Sequence, residues 1–457
     1  MASACAVSAS LPAHAQLFSR ATVYEGATVH LGNGETIEDC NLVIQGGRIA
    51  GLGPNASAQG TATTYDVAGR VITPGLIDAW GVFGFRRPAN SLDATALAAD
   101  GIDLYDENAV RDAWRNGVTT VYAPAWGRLG INGVGTVVSL ASDGETGAFA
   151  TLVEDSGSLH VSLHGNAGPI ARLEVIAEIE ERMAAAKEYR ESLDIYAVEL
   201  DEYEEELKTR ADERKKKEEE EDSKDDDAET GNNSDGEPSS GSAENEEGEK
   251  NDTKNGDDGE EEEGPEKPEE PRPNRVAEVL LEAIDHELTV RIHAERAEDI
   301  LTAIELAERF GLDTVLEGGA EAHLVARQLA DAEIPVILGP EPGSDADDGL
   351  RRGRLGANAS SLSDAGVEWA VGTGATPGAQ RFVLLTASGV TDGTDPIHLV
   401  TGRAAGVLGI DGGRLTPGTT ASFVVWDGDP VAGARVEEVY IDGTAVYRRP
   451  GIQRGNN

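Results

Sequence analysis

At 457 residues, 39% of them apolar, the chain is long enough to bury a large core and a second, smaller one. Its formal net charge of −46 excludes nucleic acid and anionic bilayers as partners, because both would be repelled. No stretch has the length and apolarity of a membrane-spanning helix, and two cysteines, Cys5 and Cys40, fit neither a disulfide framework nor a zinc-ligand spacing.

The charge is spread as well as concentrated. Residues 201–272 hold 32 acidic and 11 basic side chains, a net −21, which leaves −25 on the rest of the chain. Outside that segment the only lysine is Lys187, whereas arginine occurs throughout. Such a lysine-poor acidic surface fits a halophilic protein, kept hydrated by carboxylates under strong screening. An acidic protein from a GC-rich genome in ordinary salt is the alternative.

In chain order, residues 1–16 are small and mildly apolar and end Pro12-Ala13-His14-Ala15-Gln16, similar to a secretory cleavage site without the basic start. That favours an exported or periplasmic protein over a cytoplasmic one with an irregular N-terminus, and Cys5 would leave with the leader. Residues 17–70 give short strands between glycine turns, and the pattern returns over 405–450, so a small composite β-sandwich built from both termini is expected. Cys40 falls in it as a lone thiol. Between them, over 71–404, eight strand-like runs alternate with helical ones: Val71–Ile77, Val118–Ala123, Thr136–Leu140, Leu159–Leu163, Leu288–Ile292, Thr314–Leu316, Ile334–Leu338 and Val367–Val371. Eight parallel strands permit a closed (β/α)8 barrel, an α/β fold, with an open doubly wound sheet as the other solution. The third run is the weakest and also suits a loop hairpin. The acidic segment 201–272 interrupts the barrel; it has almost nothing to bury, so disorder is expected, with a helix from Ile170 continuing to about Arg214. A solvated insertion is its simplest role, and a docking tail for a basic partner or calcium the alternative.

Four motifs in this order are similar to the amidohydrolase superfamily, and within it to the imidazolonepropionase-like branch. They are Gly69–Ala79, the strand Gly117–Val121, the run Leu288–Ile300, and the ending Gly409–Gly418 followed by Phe423–Pro430. The resemblance spans nearly the whole chain apart from the leader and the acidic insertion. It implies a metal-dependent hydrolase of amide, cyclic amide or related C–N bonds, with the metal at the C-terminal mouth of the barrel.

Measured against that family, the ligand set is depleted. Its first strand is followed by His-x-His, where this chain has Trp80 and Val82. His293 occupies a retained histidine position. Gly318 stands where the family has histidine after Glu317, and Gly374 where it has the aspartate that binds metal and accepts a proton. Lys187, in a helical pattern, offers no bridging carboxylated lysine. A lone imidazole cannot hold zinc or manganese, which need about three protein ligands.

Three readings follow. The barrel is a degenerate, non-catalytic amidohydrolase, a pseudoenzyme serving as a binding or partner subunit beside an active paralogous amidohydrolase or as a homo-oligomer, with a small-molecule ligand allowed. Alternatively, a hydrolase site with one divalent ion such as Zn or Mn was rebuilt from His293, Glu295, Glu317 and His323, with Glu321 also near the strand ends. The third is a secreted structural protein with an acidic attachment segment. His293 itself reads as a structural histidine, a pocket contact or a metal ligand; Arg296 and Asp299 as an ion pair or cap of the next helix. Trp80, Phe83 and Trp126 read as fillers of the vacated space or as the lining for an apolar ligand. The glycines of Gly130–Gly135 lack the Lys-Ser/Thr of a phosphate loop, and no nucleophile elbow is present.

Overall fold

Both ends of the chain enter one sheet. The computed structural model describes residues 20–84, 93–125, 127, 129–163, 169–225, 265–339, 355–374, 384, 387 and 393–452. The leader, with Cys5, and Trp126 lie outside the described residues. Two compact units are resolved by contact, one of residues 1–186 with 275–457 and the other Lys187–Asn274.

In the first unit the chain opens with β1 (Ala21–His30), β2 (Thr36–Gln45), β3 (Arg48–Gly53), β4 (Ala62–Asp66) and β5 (Val71–Pro74). The barrel strands follow: β6 (Leu76–Asp78), β7 (Val118–Ala123), β8 (Gly130–Ser139), β9 (Thr151–Leu152), β10 (Ser158–Ser162), β11 (Thr289–Ala294), β12 (Thr314–Gly318), β13 (Val336–Leu338) and β14 (Trp369–Val371). Last come β15 (Phe423–Trp426), β16 (Val436–Ile441) and β17 (Thr444–Arg448).

The first sheet has the order β17-β16-β15-β5-β1-β2-β3, with β4 on β1, so the expected joining of the two termini is made by the antiparallel β5–β15 ladder. Its core holds Tyr24, Leu42, Ile72, Phe423 and Val425, with Cys40 buried among them. Phe423 stacks on Tyr440 at 4.6 Å and meets Tyr24 edge-on at 5.4 Å. Aromatic pairs of this kind add about 0.5–1.5 kcal/mol each beyond burial.

The second sheet runs β14-β13-β12-β11-β10-β8-β7-β6, eight staves matching the eight expected runs. Two details differ. The run Val71–Ile77 is split at Gly75: its first half belongs to the first sheet and only β6 to the barrel. A Cβ at Gly75 would lie 2.2 Å from Thr119 Oγ1, so glycine is what lets the chain cross between sheets this close to β7. The third stave, β8, is antiparallel to both β7 and β10 and carries the hairpin strand β9. Only the short link 124–129 joins β7 to β8, too little for a crossover helix, so the chain must turn back. Between β14 and β6 there is no ladder among the described residues. The seam is spanned by Gly374 N–H to the Trp80 carbonyl (2.9 Å), Thr373 N–H and hydroxyl to the Asp78 carboxylate (2.9 and 2.6 Å), and Ile77 N–H to the Val400 carbonyl (2.7 Å).

In the second unit the outcome departs from the expected disorder. The helix that begins at Pro169 reaches Asp225, eleven residues past the expected end at Arg214. Glu, Lys, Arg and Ala are strong helix formers, and pairs such as Glu206–Arg210 (3.0 Å) support the turns that have no apolar face. Residues 226–264 of the acidic segment lie outside the described residues. No described helix is long and apolar enough to cross a membrane.

Candidate functional site at the C-terminal mouth of the barrel

The strand alternation of β10, β11 and β12 sends Ser158, His160 and Ser162, Arg291 and His293, and Glu317 toward polar partners inside the barrel. At the C-terminal end of β11, His293 Nε2 lies 3.1 Å from Glu295 Oε1, and the other oxygen of Glu295 accepts the Ala320 N–H at 3.0 Å. Glu295 thereby leans over the end of β12. At Gly318, with φ +95°, a Cβ would fall 2.7 Å from Glu295 Oε1. The space beside Gly318, where the resemblance leads to the expectation of a histidine, is taken by the carboxylate of the neighbouring strand's extension.

Trp80 fills the first-strand position. The indole is buried, 4.9 Å edge-on from the His293 ring, and packs with Val82, Val315, Ile337 and Ala370. Two glycines make the room: a Cβ at Gly339 would lie 2.6 Å from the indole ring, and one at Gly372 2.6 Å from the Trp80 Cβ. Phe83 is buried nearby in sequence. Among the described residues, Trp80 Nε1 is the one buried side-chain nitrogen or oxygen without a hydrogen-bond partner.

Glu317 is committed elsewhere. Fully buried, it accepts from Arg291 Nε at 2.5 Å and bonds His160 Nε2 at 3.2 Å. Burial alone would raise its pKa, but the Arg291 cation and the His160 bond outweigh it and hold the carboxyl down to about 2. Arg291 also donates through Nη2 to the Ala79 carbonyl (2.7 Å) and lies 3.6 Å over the Tyr122 ring, whose hydroxyl accepts from Ser158 (2.7 Å). His160 Nδ1 is 3.4 Å from the Asn132 amide. This polar plug crosses the barrel interior and leaves Glu317 as a counterion.

His323 belongs to neither group. It sits on the 3-10 turn Ala322–Leu324, ahead of the helix Ala326–Asp331, where its backbone N–H and Nδ1 both donate to Asn358 Oδ1 (2.9 and 2.8 Å). Glu321 accepts the Ala297 N–H (3.0 Å) at the start of the helix Ala297–Phe310. In that helix Asp299 is buried against Arg172 (3.3 Å), while Arg296 faces Glu298 at 3.7 Å. Gly374 gives only its backbone to the seam, and Lys187 lies in the helix Pro169–Asp225. Asp78 is buried, and desolvation raises its pKa to about 6 against the pull of Thr373.

Of the sequence candidates, then, the fold brings together His293 and Glu295 and separates Glu317 and His323. Among the described residues no group of three or more His, Cys, Asp or Glu is placed to hold a metal ion. The donors among the described residues do not fit the metal that the family resemblance implies. Arg291, His160 and Tyr122 carry no family motif; the polar positions two apart in Ser158-x-His160-x-Ser162 and Arg291-x-His293 are the signal that marks an occupied barrel interior.

No family model matches the sequence, and no curated protein matches it either. Solved structures do. An amidohydrolase from Thermotoga maritima MSB8 superposes with a TM-score of 0.68 at 22% identity, covering 94% of this chain and 100% of the other. A prolidase complexed with N-methylphosphonate-L-proline follows at 0.49 and 17%, covering 94% and 100%. A β-aspartyl dipeptidase from Fervidobacterium islandicum AW-1 reaches 0.42 and 12%, covering 96% and 99%. Identity this low carries architecture and not reaction. The chain has the fold of the Thermotoga maritima amidohydrolase.

Proposed function

We propose that this chain is an amidohydrolase-superfamily protein of the imidazolonepropionase-like branch that has left metal-dependent C–N hydrolysis and is retained as a binding or partner subunit, beside an active paralogous barrel or a second copy of itself. The observation that carries this reading is the overlap at Gly318. A lost ligand alone leaves a gap that a new donor can enter, whereas here the gap is occupied by Glu295, and the first-strand positions by a buried indole and isopropyl group. Hydrolysis of this type needs a cation to acidify water and polarise the scissile carbonyl, and among the described residues the donor set is two groups, His293 and Glu295, with Glu317 neutralised by Arg291.

The test is metal analysis of the full chain after exposure to zinc and to manganese, together with assays on amide and cyclic amide substrates. Metal well below one equivalent and no turnover are expected. One equivalent of tightly held metal that is lost on His293→Ala, with turnover lost alongside it, would overturn the proposal in favour of the rebuilt site.

A further inference from the structure

The helix Pro169–Asp225 carries a second pattern inside its charged run. From Tyr189 onward, tyrosine and leucine alternate at spacings of four and three: Tyr189, Leu193, Tyr196, Leu200, Tyr203 and Leu207. Leucine thus recurs every seven residues, and so does tyrosine, which is the period that keeps one stripe of a helix facing a partner helix. Leu193 and Leu207 are 37% and 42% exposed, and the other four are half-buried. All six lie in the second compact unit, Lys187–Asn274.

The sequence limits what can cover this stripe. Apart from prolines, the apolar residues of 208–274 are Ala211, Ala228 and Ala243, so the rest of the unit has no large side chains to interdigitate with it. A second helix with a matching stripe is required, and the flanking charges choose its direction. With the leucines at a and the tyrosines at d, the e positions are Arg190, Ala197 and Glu204 and the g positions Ser192, Glu199 and Glu206. Two parallel copies would set Glu199 against Glu204 of the second copy, twice, and leave Arg190 beside Ala185. Two antiparallel copies, in the register that uses all six side chains, stack Leu193 on Tyr203, Leu200 on Tyr196 and Leu207 on Tyr189, each twice. They also set Arg190 against Glu204 twice, with Glu199 against its own copy as the one like-charge pair. Opposed helix dipoles favour the same direction.

We propose that the stripe Tyr189–Leu207 is a self-association surface, on which a second copy of this chain docks the same stripe as an antiparallel coiled coil. The contact is about 28 Å long, at ~1.5 Å per residue. Residues 187–207 carry nine acidic side chains against two basic ones, so two copies repel over long range in dilute salt, and screening favours the pair. Such a dimer is the second-copy partner that the proposed function allows, and it rests on that reading for its purpose alone. Self-association is read from mass in solution and the proposed function from metal content and turnover, so the failure of one is distinct from the failure of the other.

Sedimentation equilibrium of the full chain in potassium chloride at ~0.1 M and ~1 M tests this. A dimer is expected, with association about tenfold tighter at the higher salt. Leu193→Glu combined with Leu200→Glu keeps a strong helix former at each site and is expected to give a monomer. Ile195→Glu combined with Val198→Glu changes two residues that are each 59% exposed but lie off the stripe, and is expected to dimerise like the parent. Arg190→Glu is expected to weaken the dimer about fivefold, and Glu204→Arg added to it to restore the affinity. A parent chain that stays monomeric at both salts, which would leave the stripe to a different protein, overturns the proposal. So does a dimer that survives the leucine substitutions, or one lost equally in the Ile195 and Val198 control. Failure of Glu204→Arg to rescue Arg190→Glu overturns the antiparallel pairing.

Discussion

Glu317 is the residue on which the barrel interior turns. Its carboxyl is held at about 2, well below the ordinary 4.5, by Arg291 and His160 despite complete burial. The sign follows directly: a depressed folded pKa means stability that is fully present above pH ~4.5 and is lost as pH falls toward ~2, with a size on the order of 3 kcal/mol. Glu317→Gln removes that titration and leaves the Arg291 cation buried without its counterion, a loss of about 3–5 kcal/mol at neutral pH. Urea unfolding at several pH values is expected to show the lower plateau and a shallower acid limb between about 2 and 4.5; a variant as stable as the parent, with the same acid limb, would contradict the pairing. Gly318→His makes the complementary statement. It supplies the histidine that the resemblance implies, but φ of +95° and a Cβ 2.7 Å from Glu295 Oε1 should lower stability by ~2–4 kcal/mol. Thermal melting together with zinc content checks it: a stable, zinc-loaded variant would mean that the vacated place is still open.

At the scale of elements, legibility depended on what each signal encodes. Apolar runs marked all eight staves because burial leaves its trace in composition, but strand direction does not. The reversal of β8 follows from the brevity of the 124–129 link, a spacing argument available only once the boundaries of β7 and β8 are known. Likewise Trp80, Val82, Gly318 and Gly374 stood out in the sequence because the resemblance implies metal ligands at those positions. That Glu295 fills the gap was not, because it depends on the β11–β12 register, which pairs Ala294 with Gly318 across 23 intervening residues. The long helix shows the opposite limit: past about Arg214 the chain was expected to be irregular, yet local propensity alone carries the helix to Asp225. Propensity without burial gives a shallow well, however. Past Leu207 the helix has Ala211 as its only apolar residue, and pairs of the Glu206–Arg210 kind contribute ~0.3–0.5 kcal/mol each. Amide hydrogen exchange over 211–225 is therefore expected to be far faster than in the buried helix Ala297–Phe310, and faster still in high salt, where the pairs are screened. Equal protection in the two helices would show that the charged half is held by contacts rather than by its own sequence.

For the molecule as a whole, the decisive quantity is the charge that remains outside the acidic segment. Were the −46 confined to residues 201–272, salt would act on the insertion and leave the barrel alone; instead −25 lies on the rest, with Lys187 its single lysine. Carboxylates at that density repel one another in the compact state, and the repulsion is long-ranged where the screening length is about 10 Å, at ~0.1 M salt, but short-ranged at about 3 Å, at ~1 M. The halophilic reading thus predicts that the melting temperature rises as potassium chloride is increased over that range, by several degrees for about 1–2 kcal/mol of relieved repulsion. A version lacking residues 201–272 separates the two sources of charge. If the barrel's own surface is responsible, the deleted chain keeps most of the salt response and its fold. If the response vanishes with the insertion, the acidity of the barrel reflects composition rather than adaptation to salt. Loss of a binding partner on deletion, with the barrel still folded, would instead favour the reading of the insertion as an attachment segment.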